Sequence, residues 1–278
     1  MSYDYRIAIP SYARPEAIKD KTLHMLDQMS VDRDRILVVC ATPEEKECYD
    51  ASLRNGWRTE VAELGLVNAR EWYHRYFPEG TRIISIDDDI DGLYQKDGVK
   101  LVPYAGSIDD LAEDGFSQCE AAGAMLWGIY PVLNGMFMND QTVVGLRFIC
   151  GAFFGSYAGD YVFQGRQNSN GEDWESTLLS FKGYGKVVRL EYVTFKTRMW
   201  QGADGGMSQE QGGLENRMQA HEVSLKGIAT RYPQFVSTYR KAGNILNLRL
   251  KSIDLAKIPR DSRAEFVRAM KGKQWQSA

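Results

Sequence analysis

Apolar residues occur in short, nearly continuous runs through the first ninety positions, and each run ends in charged residues, proline or glycine. Such runs are typical of strands that are covered on both faces. Between the runs, apolar residues recur at helical spacing, and proline marks helix starts near positions 15 and 43. The pattern predicts strands at 6–10, 36–40, 57–64 and 82–86, and helices from 15, 43 and 66. Because strands and helices alternate, this part of the chain is predicted to form a parallel sheet with right-handed crossovers.

The second part of the chain follows a less regular pattern. Alternating and aromatic-rich stretches predict a small hairpin at 94–102 and strands at 125–133, 143–154 and 186–197. Helices are predicted at 107–124, where Ser107 and two aspartates form the N-terminal cap, from 172, and along a run from 210. The chain is therefore predicted to be an α/β protein whose last part is basic and mainly helical.

The cysteines and the apolar runs bear on the cellular location. The four cysteines are scattered, and no pair has the spacing of a zinc or redox site. They indicate reduced thiols in a cytoplasmic protein. The polar N-terminus and the short apolar runs predict neither a signal peptide nor a bilayer-spanning segment, so no membrane partner is expected.

Charge is distributed unevenly along the chain, whose formal net charge is −3. Residues 231–278 contain 11 basic and 3 acidic side chains, a net charge of +8, so the rest of the chain carries −11. Aromatic residues are interleaved with these basic residues, which suits a phosphate backbone and unstacked bases. Two interpretations are open at this point: a nucleic-acid-binding arm, and a solvated helical face that packs on the body through its aromatic side chains.

Three consecutive aspartates, Asp87, Asp88 and Asp89, follow the predicted strand at 82–86. Ligands of open α/β sheets bind beyond the carboxyl ends of the strands, where this triplet lies. Alternate side chains of an extended chain share a face, which places Asp87 and Asp89 together. Two hard oxygen ligands suit Mg²⁺ or Mn²⁺, with water and substrate phosphates as the remaining ligands. We therefore favour a metal–diphosphate site over a solvated acidic turn.

Three other segments combine polar or charged side chains with a strand or helix end. Ser11 and Arg14 follow the first strand, and the guanidinium of Arg14 can pair with phosphate. The turn at 65–70 offers a glycine for close approach, and Arg70 lies near a helix N-terminus that favours anions. Lys196 precedes a glycine-rich loop that could close over a diphosphate, and it could offset charge on a leaving group. Each segment is equally consistent with an ordinary turn or surface loop.

Glu172 and Asp173 begin a predicted helix. Acidic residues are common in a first helical turn because they complement the helix dipole. A carboxylate whose pKa lies near the working pH can also accept a hydroxyl proton, and the neighbouring Trp174 could help to desolvate it. Among the histidines, His221 could supply a third metal ligand, although the ordinary expectation for it is a structural role.

Taken in order, these motifs resemble those of the GT-A glycosyltransferases, and more narrowly the phage-encoded TET-associated glycosyltransferases, which are taken to glycosylate hydroxymethylated pyrimidines in DNA. The resemblance implies a Rossmann-like mixed sheet flanked by helices for a catalytic domain at 1–206. It leaves 207–278 as a helical basic extension and a possible DNA-binding element. The segments that carry the resemblance are 7–15, 65–70, 86–90, 127–134, 171–173 and 196–206.

The resemblance implies a metal-dependent enzyme that moves a sugar from a UDP-sugar, with Asp173 as the catalytic base and Glu172 as the competing candidate. The expected acceptor is DNA that contains a hydroxymethylated pyrimidine, which the enzyme would extrude from the duplex. The expected location is the cytoplasm, that of the host cell if the protein is phage-encoded. The implied site residues are Pro10, Ser11, Arg14, Arg70, Asp87, Asp88 and Lys196 for the donor, Asp87, Asp89 and His221 for Mn²⁺ or Mg²⁺, and Trp127, Tyr130 and Asn134 for the acceptor.

Two alternatives are consistent with the same residues. One is a GT-A glycosyltransferase that acts on a glycan, a lipid or a small molecule, which the acidic body of the chain permits. The other is a non-catalytic relative that binds nucleotides or nucleic acid without turnover.

Overall fold

The computed structural model describes residues 4–54, 56–98, 100–159, 170–197 and 205–252. The strands in these ranges are β1 (Tyr5–Pro10), β2 (Ile36–Cys40), β3 (Arg58–Val61), β4 (Arg82–Ile86), β5 (Gly92–Asp97), β6 (Lys100–Pro103), β7 (Leu126–Tyr130), β8 (Thr142–Gly145), β9 (Phe153–Tyr157), β10 (Val187–Lys196), β11 (Val236–Arg240) and β12 (Leu246–Leu250). The helices are α1 (Pro15–Ile18), which continues through a π-helical segment (Lys19–Leu23) into α2 (His24–Gln28), then α3 (Pro43–Leu53), α4 (Leu66–Tyr76), α5 (Ile108–Ala122), α6 (Glu172–Tyr184), α7 (Gly206–Glu210) and α8 (Leu214–Arg231).

The first part of the chain forms the predicted parallel sheet. Strands β3, β2, β1 and β4 lie side by side and run parallel, and their inward residues are buried. Ala8 of β1 is level with Ser85 of β4. Because of this register, the segment after Pro10 and the aspartate triplet after Ile86 leave the sheet at the same edge.

Beyond β4 the sheet becomes mixed, as expected for the predicted α/β class. β9 lies antiparallel between β4 and β7, and β10 runs parallel to β7 but antiparallel to β5 and β8. The prediction of one strand at 143–154 is wrong, because β8 and β9 are separated by a loop at 146–152. The amide of Ile149 donates to the hydroxyl of Thr177 at 3.0 Å, which ties this loop to α6 rather than to the sheet.

Trp127 lies in the main core and is fully buried between α5 and the sheet. Its ring packs edge-on against Phe116, with ring centroids 5.5 Å apart. Gly115 and Gly155 face the indole so closely that a Cβ at either position would overlap it. The structure therefore places Trp127, which the resemblance assigns to the acceptor pocket, in the core, since the two glycines make room for it inside the protein.

We expect Gly155→Ala to destabilise the protein, because the new methyl group must displace the indole of Trp127. Overpacking of this kind costs about 1–3 kcal/mol of unfolding free energy. Gly135→Ala is the matched control, because a Cβ there would lie 3.4 Å from the nearest atom, at ordinary contact distance. Chemical denaturation of both variants measures the difference, and equal stabilities would contradict the assigned packing.

The C-terminal elements form a second core on α6. Apolar side chains of α8 and of the β11–β12 hairpin pack against Leu178 and Phe181 of α6. The β11–β12 hairpin differs from the mainly helical structure that is predicted for this part of the chain. In the hairpin, Val236, Leu246 and Leu248 alternate with more exposed neighbours, so one face is buried. Residues 253–278, which hold much of the basic stretch, lie outside the described residues. Within the described ranges, every helix is too short or too polar to cross a bilayer.

Candidate functional site

A cleft of about 830 Å³ opens at the edge of the sheet where β1 and β4 end. One side is built by the segment after β1, by the aspartate triplet and by the loop between β8 and β9. The other side is built by the N-terminus of α6, by α8 and by the β11–β12 hairpin. Among the predicted site residues that line it are Pro10, Ser11, Arg14, Asp87, Asp88, Asp89, Glu172, Asp173 and His221.

Hydrogen bonds connect the segment after β1 to the triplet. The hydroxyl of Ser11 donates to Asp88 Oδ2 at 2.6 Å and lies 2.6 Å from the hydroxyl of Tyr49. Tyr49 in turn accepts from the backbone amide of Arg14 at 2.9 Å. The sequence motifs do not include Tyr49, which is fully buried on α3. The helical spacing of α3 could have indicated it, because this residue lies on the helix face toward β1.

The triplet lies in a turn rather than in an extended strand. Thr22 holds this turn from the π-helical segment: its hydroxyl donates to the carbonyl of Asp87 at 2.7 Å and accepts from the amide of Ile90 at 2.9 Å. Because the strand ends at Ile86, the expected alternation of the three side chains does not hold. Asp88 and Asp89 both lie near Arg14 Nη1, at 3.3 and 3.7 Å, whereas Asp87 pairs elsewhere.

Arg70 is fully buried and lies behind the cleft rather than in it. It forms ion pairs with Glu172 and with Asp87 Oδ1, the latter at 2.9 Å, and it donates to the carbonyl of Gly151 at 2.7 Å. Arg70, which the resemblance places at the donor, thus has its guanidinium engaged by protein groups. Its contacts with two carboxylates bring the ends of β4 and α6 together, so it orients acids that do line the cleft.

Asp173 and Glu172 differ in their surroundings. Glu172 is occupied by its ion pair with Arg70. Asp173 accepts from two backbone amides, that of Trp174 at 2.8 Å and that of Gly151 at 3.5 Å. Burial, together with the neighbouring charge of Glu172, raises the pKa of Asp173 to about 7. A carboxyl group with this pKa is suited to accept a proton near neutral pH.

The cleft offers hard oxygen atoms to a divalent cation. The carboxylates of Asp87 and Asp89 fit Mg²⁺ or Mn²⁺ by their chemistry, and Thr197 fixes Asp89 by donating to its Oδ1 at 2.7 Å. The described residues contain no group of three or more histidine, cysteine or acidic side chains placed to hold a metal. His221 therefore lies in the cleft wall without joining a three-residue cluster, and its role as a ligand stays a prediction.

Burial and the charges of Arg217 and Lys241 lower the pKa of His221 to about 4. The imidazole is therefore neutral at physiological pH. The sequence motifs do not include Arg217 and Lys241, which line the same wall of the cleft from α8 and from the end of β11. The spacing of Arg217 and His221, four residues apart on a helix, is a signal that could have paired them.

The remaining acceptor residues do not line the cleft. Tyr130 lies under the guanidinium of Arg189, and the side chain of Asn134 accepts from the amide of Met136, capping a 3₁₀ helix. The structure thus places both residues, which the resemblance assigns to the acceptor pocket, outside the lining of the cleft. Residues 131–133, which lie between Tyr130 and Asn134, form an apolar part of the cleft wall.

Lys196, which the resemblance assigns to the donor, is exposed and does not line the cleft. Alternate residues of β10 point to opposite faces, and Phe195 and Thr197 are the ones that face the cleft. The glycine-rich loop after β10 lies mostly outside the described residues. Its described end contacts the segment after β1, because Arg14 Nη2 donates to the carbonyl of Gly205 at 3.3 Å.

No model of a protein family matches this chain, and no curated protein is significantly similar to it in sequence. The fold is similar to that of the 1–349 fragment of S. aureus TarS, with a TM-score of 0.45 and 12% identity over 81% of this chain and 65% of that fragment. The chain thus spans just under two thirds of the TarS fragment.

Glucosyl-3-phosphoglycerate synthase from Mycobacterium tuberculosis is also similar in fold. Its complex with Mn²⁺, UDP-glucose and phosphoglyceric acid gives a TM-score of 0.49 and 10% identity, over 90% of this chain and 88% of that chain. Its complex with Mg²⁺ and UDP gives 0.47 and 11%, over 91% and 88%. At these identities the likeness is one of overall architecture.

Proposed function

We propose that this protein is a metal-dependent glycosyltransferase that uses a UDP-sugar as donor. One observation carries the proposal: a carboxylate triplet, an arginine and a carboxyl group with a pKa near 7 line one cleft at the carboxyl edge of the sheet. Open α/β sheets bind their ligands at this edge. The solved structures of similar fold include one crystallised with Mn²⁺ and UDP-glucose.

The donor is assigned to the side of the cleft formed by the segment after β1 and by the triplet. Pro10 and Ser11 hold the nucleoside, and Arg14 pairs with the diphosphate as a planar fork of donors. Asp88 orients both Ser11 and Arg14, because it accepts from each of them. A divalent cation at Asp87 and Asp89 would neutralise the diphosphate and stabilise it as a leaving group.

The acceptor is assigned to the side formed by α6. Asp173 accepts the proton of the acceptor hydroxyl, or orients that hydroxyl toward the sugar. Glu172 serves less well as a base, because its carboxylate is engaged by Arg70. The backbone amides of Gly151 and Trp174 fix the carboxyl group of Asp173 for this task.

We propose the hydroxymethyl group of a modified pyrimidine in DNA as the acceptor, on the basis of the family resemblance. The charge of +8 in residues 231–278 supports an interaction with a phosphate backbone. The described part of this stretch contributes Tyr239 and Lys241 to the cleft wall. The burial of Trp127 removes one residue that linked the chain to this acceptor.

The donor proposal is tested by the thermal stability of the protein with UDP, GDP, ADP and CMP, each with and without Mn²⁺. We expect UDP to raise the melting temperature in a metal-dependent way, because a ligand of the native state stabilises it by mass action. Asp89→Asn should lose the metal-dependent part, and Asp91→Asn, an exposed carboxylate just outside the cleft, should keep it. No shift with any nucleotide would overturn the proposal.

The acceptor is tested with UDP-sugars and a duplex oligonucleotide that contains 5-hydroxymethylcytosine, beside the same duplex with cytosine. Transfer to the modified duplex alone supports the DNA acceptor. Transfer to a glycan, lipid or small molecule in its place would show a glycosyltransferase of another specificity. Nucleotide binding without turnover across these acceptors would show a non-catalytic relative.

A further inference from the structure

Three basic side chains face the cleft from its C-terminal wall. Arg217 and His221 lie one helical turn apart on α8, and Lys241 follows β11. The acidic residues that line the cleft are Glu63, Glu210 of α7 and those at 87–89 and 172–173. Positive groups are thus gathered on the wall that faces the predicted donor side.

These basic groups are close enough to influence one another. Burial and the charge of Arg14 lower the pKa of Arg217, and the charges of Asp87 and Asp89 oppose this effect. The charges of Arg217 and Lys241 act on His221 in the same way, since they lower the pKa of its imidazole. Arg217 Nη1 donates to the hydroxyl of Ser208 at 3.0 Å. The C-terminal wall of the cleft therefore carries its basic side chains on two elements, α8 and the segment after β11.

The wall is joined to the helix that carries Asp173. The hydroxyl of Ser224 on α8 donates to the carbonyl of Asn170, just before α6. Arg231 at the end of α8 forms an ion pair with the buried Glu175 of α6 at 2.7 Å. Leu225 and Ile228 pack so closely on Gly171 that a Cβ there would lie 3.0 Å from Leu225 Cδ2. A group bound at the wall is consequently held in a defined position relative to Asp173.

We propose that Arg217, His221 and Lys241 form a subsite for a phosphate group of the acceptor. This inference rests on the proposed function, and it adds which side chains bind a phosphate group of the acceptor. A guanidinium, an imidazole and an ammonium group supply several hydrogen-bond donors to one anion, and charge-assisted hydrogen bonds are the stronger kind. The bound phosphate fixes the acceptor, and its hydroxyl then lies within reach of Asp173.

The probe is inorganic phosphate, and its affinity is measured by calorimetry with and without saturating UDP and Mg²⁺. UDP fills the donor side, so phosphate that still binds reports the acceptor subsite. We expect Lys241→Gln and Arg217→Gln to bind this phosphate roughly ten- to a hundredfold more weakly, with UDP affinity retained. Lys251→Gln is the control, because that ammonium lies outside the cleft and donates to the carbonyl of Pro233.

Three results would overturn the subsite: phosphate binding to the wild type that UDP abolishes, variants that keep their phosphate affinity, and variants that lose UDP affinity by the same factor. The first and third would assign the cations to the donor diphosphate. Lys241 is exposed, so its variant keeps the test decisive even if Arg217→Gln fails to fold. A wild type that binds phosphate but not UDP would overturn the proposed function and leave the phosphate site standing.

Discussion

Asp173→Asn is expected to lower the turnover number for sugar transfer by roughly 10²–10⁴-fold, the range that a positioned general base contributes. The amide keeps the size of the side chain but cannot take a proton from the acceptor hydroxyl. UDP affinity should stay near the wild-type value, because Asp173 lies on α6 and the donor contacts come from the segment after β1 and from the triplet. Transfer within tenfold of the wild type would exclude Asp173 as the base.

The same variant has an expected effect on stability whose direction follows from the pKa. Folding raises the pKa of Asp173 from 3.8 to about 7. Between these values the unfolded chain releases the proton while the folded chain keeps it, so this group lowers the free energy of unfolding as the pH rises toward 7. Asp173→Asn removes that cost, and its melting temperature should therefore exceed that of the wild type at about pH 8 and match it more closely at about pH 5.

The pH profile of the wild type supplies an independent check. The turnover number should rise with pH and level off above about 7, because only the ionised carboxylate accepts a proton. Asp91→Asn, which changes an exposed carboxylate outside the cleft, should reproduce both the wild-type profile and the wild-type stability.

Arg70→Met is expected to cause the largest loss of stability among the substitutions considered, about 3–5 kcal/mol of unfolding free energy. The substitution leaves the carboxylates of Asp87 and Glu172 without the guanidinium that they share. Thermal denaturation should show the melting temperature falling by roughly 10 °C or more. Arg75→Met on the same helix is the control, because Arg75 is exposed and forms its ion pair with Glu71 of the same helix.

A double-mutant cycle separates the ion pair from the packing of Arg70. If the guanidinium acts through the carboxylates, Glu172→Gln should cost much less in the Arg70→Met background than in the wild type, and the difference is the coupling energy. Additive effects of the two substitutions would show that the buried arginine stabilises the protein by packing alone.

The sequence predicts which residues after β1 and β4 line the cleft better than it predicts the surroundings of Trp127. Residues after β1 and β4 follow long buried runs, and strand register alone brings Ser11 and Asp88 together. Trp127 lies within a buried run, but its surroundings depend on Gly115 and Gly155, which belong to other elements of the fold. Local pattern does not encode that contact, so the sequence alone does not show that this aromatic residue belongs to the core.

The direction of a side chain near the end of a strand or helix is the other feature that the sequence does not predict. Lys196 and Thr197 are neighbours, but of the two it is Thr197 that lines the cleft, because successive side chains of an extended segment point to opposite sides. Arg70 was placed correctly at the start of α4, yet its side chain points into the protein toward two acids. Because both side chains are charged, the sequence suggests that they contact a ligand. Burial and the alternation of side chains along a strand determine what each one actually contacts.

The two walls of the cleft stand on different hydrophobic cores. The segment after β1 and the aspartate triplet stand on the main core, and α8 with its hairpin stands on the second core with α6. Substitutions in the second core can therefore reshape one wall of the cleft while the other wall stays intact. Under the proposed function, such substitutions would change the acceptor that is modified and keep the same donor. Laboratory selection for a new acceptor should accordingly enrich changes on α8 and the hairpin.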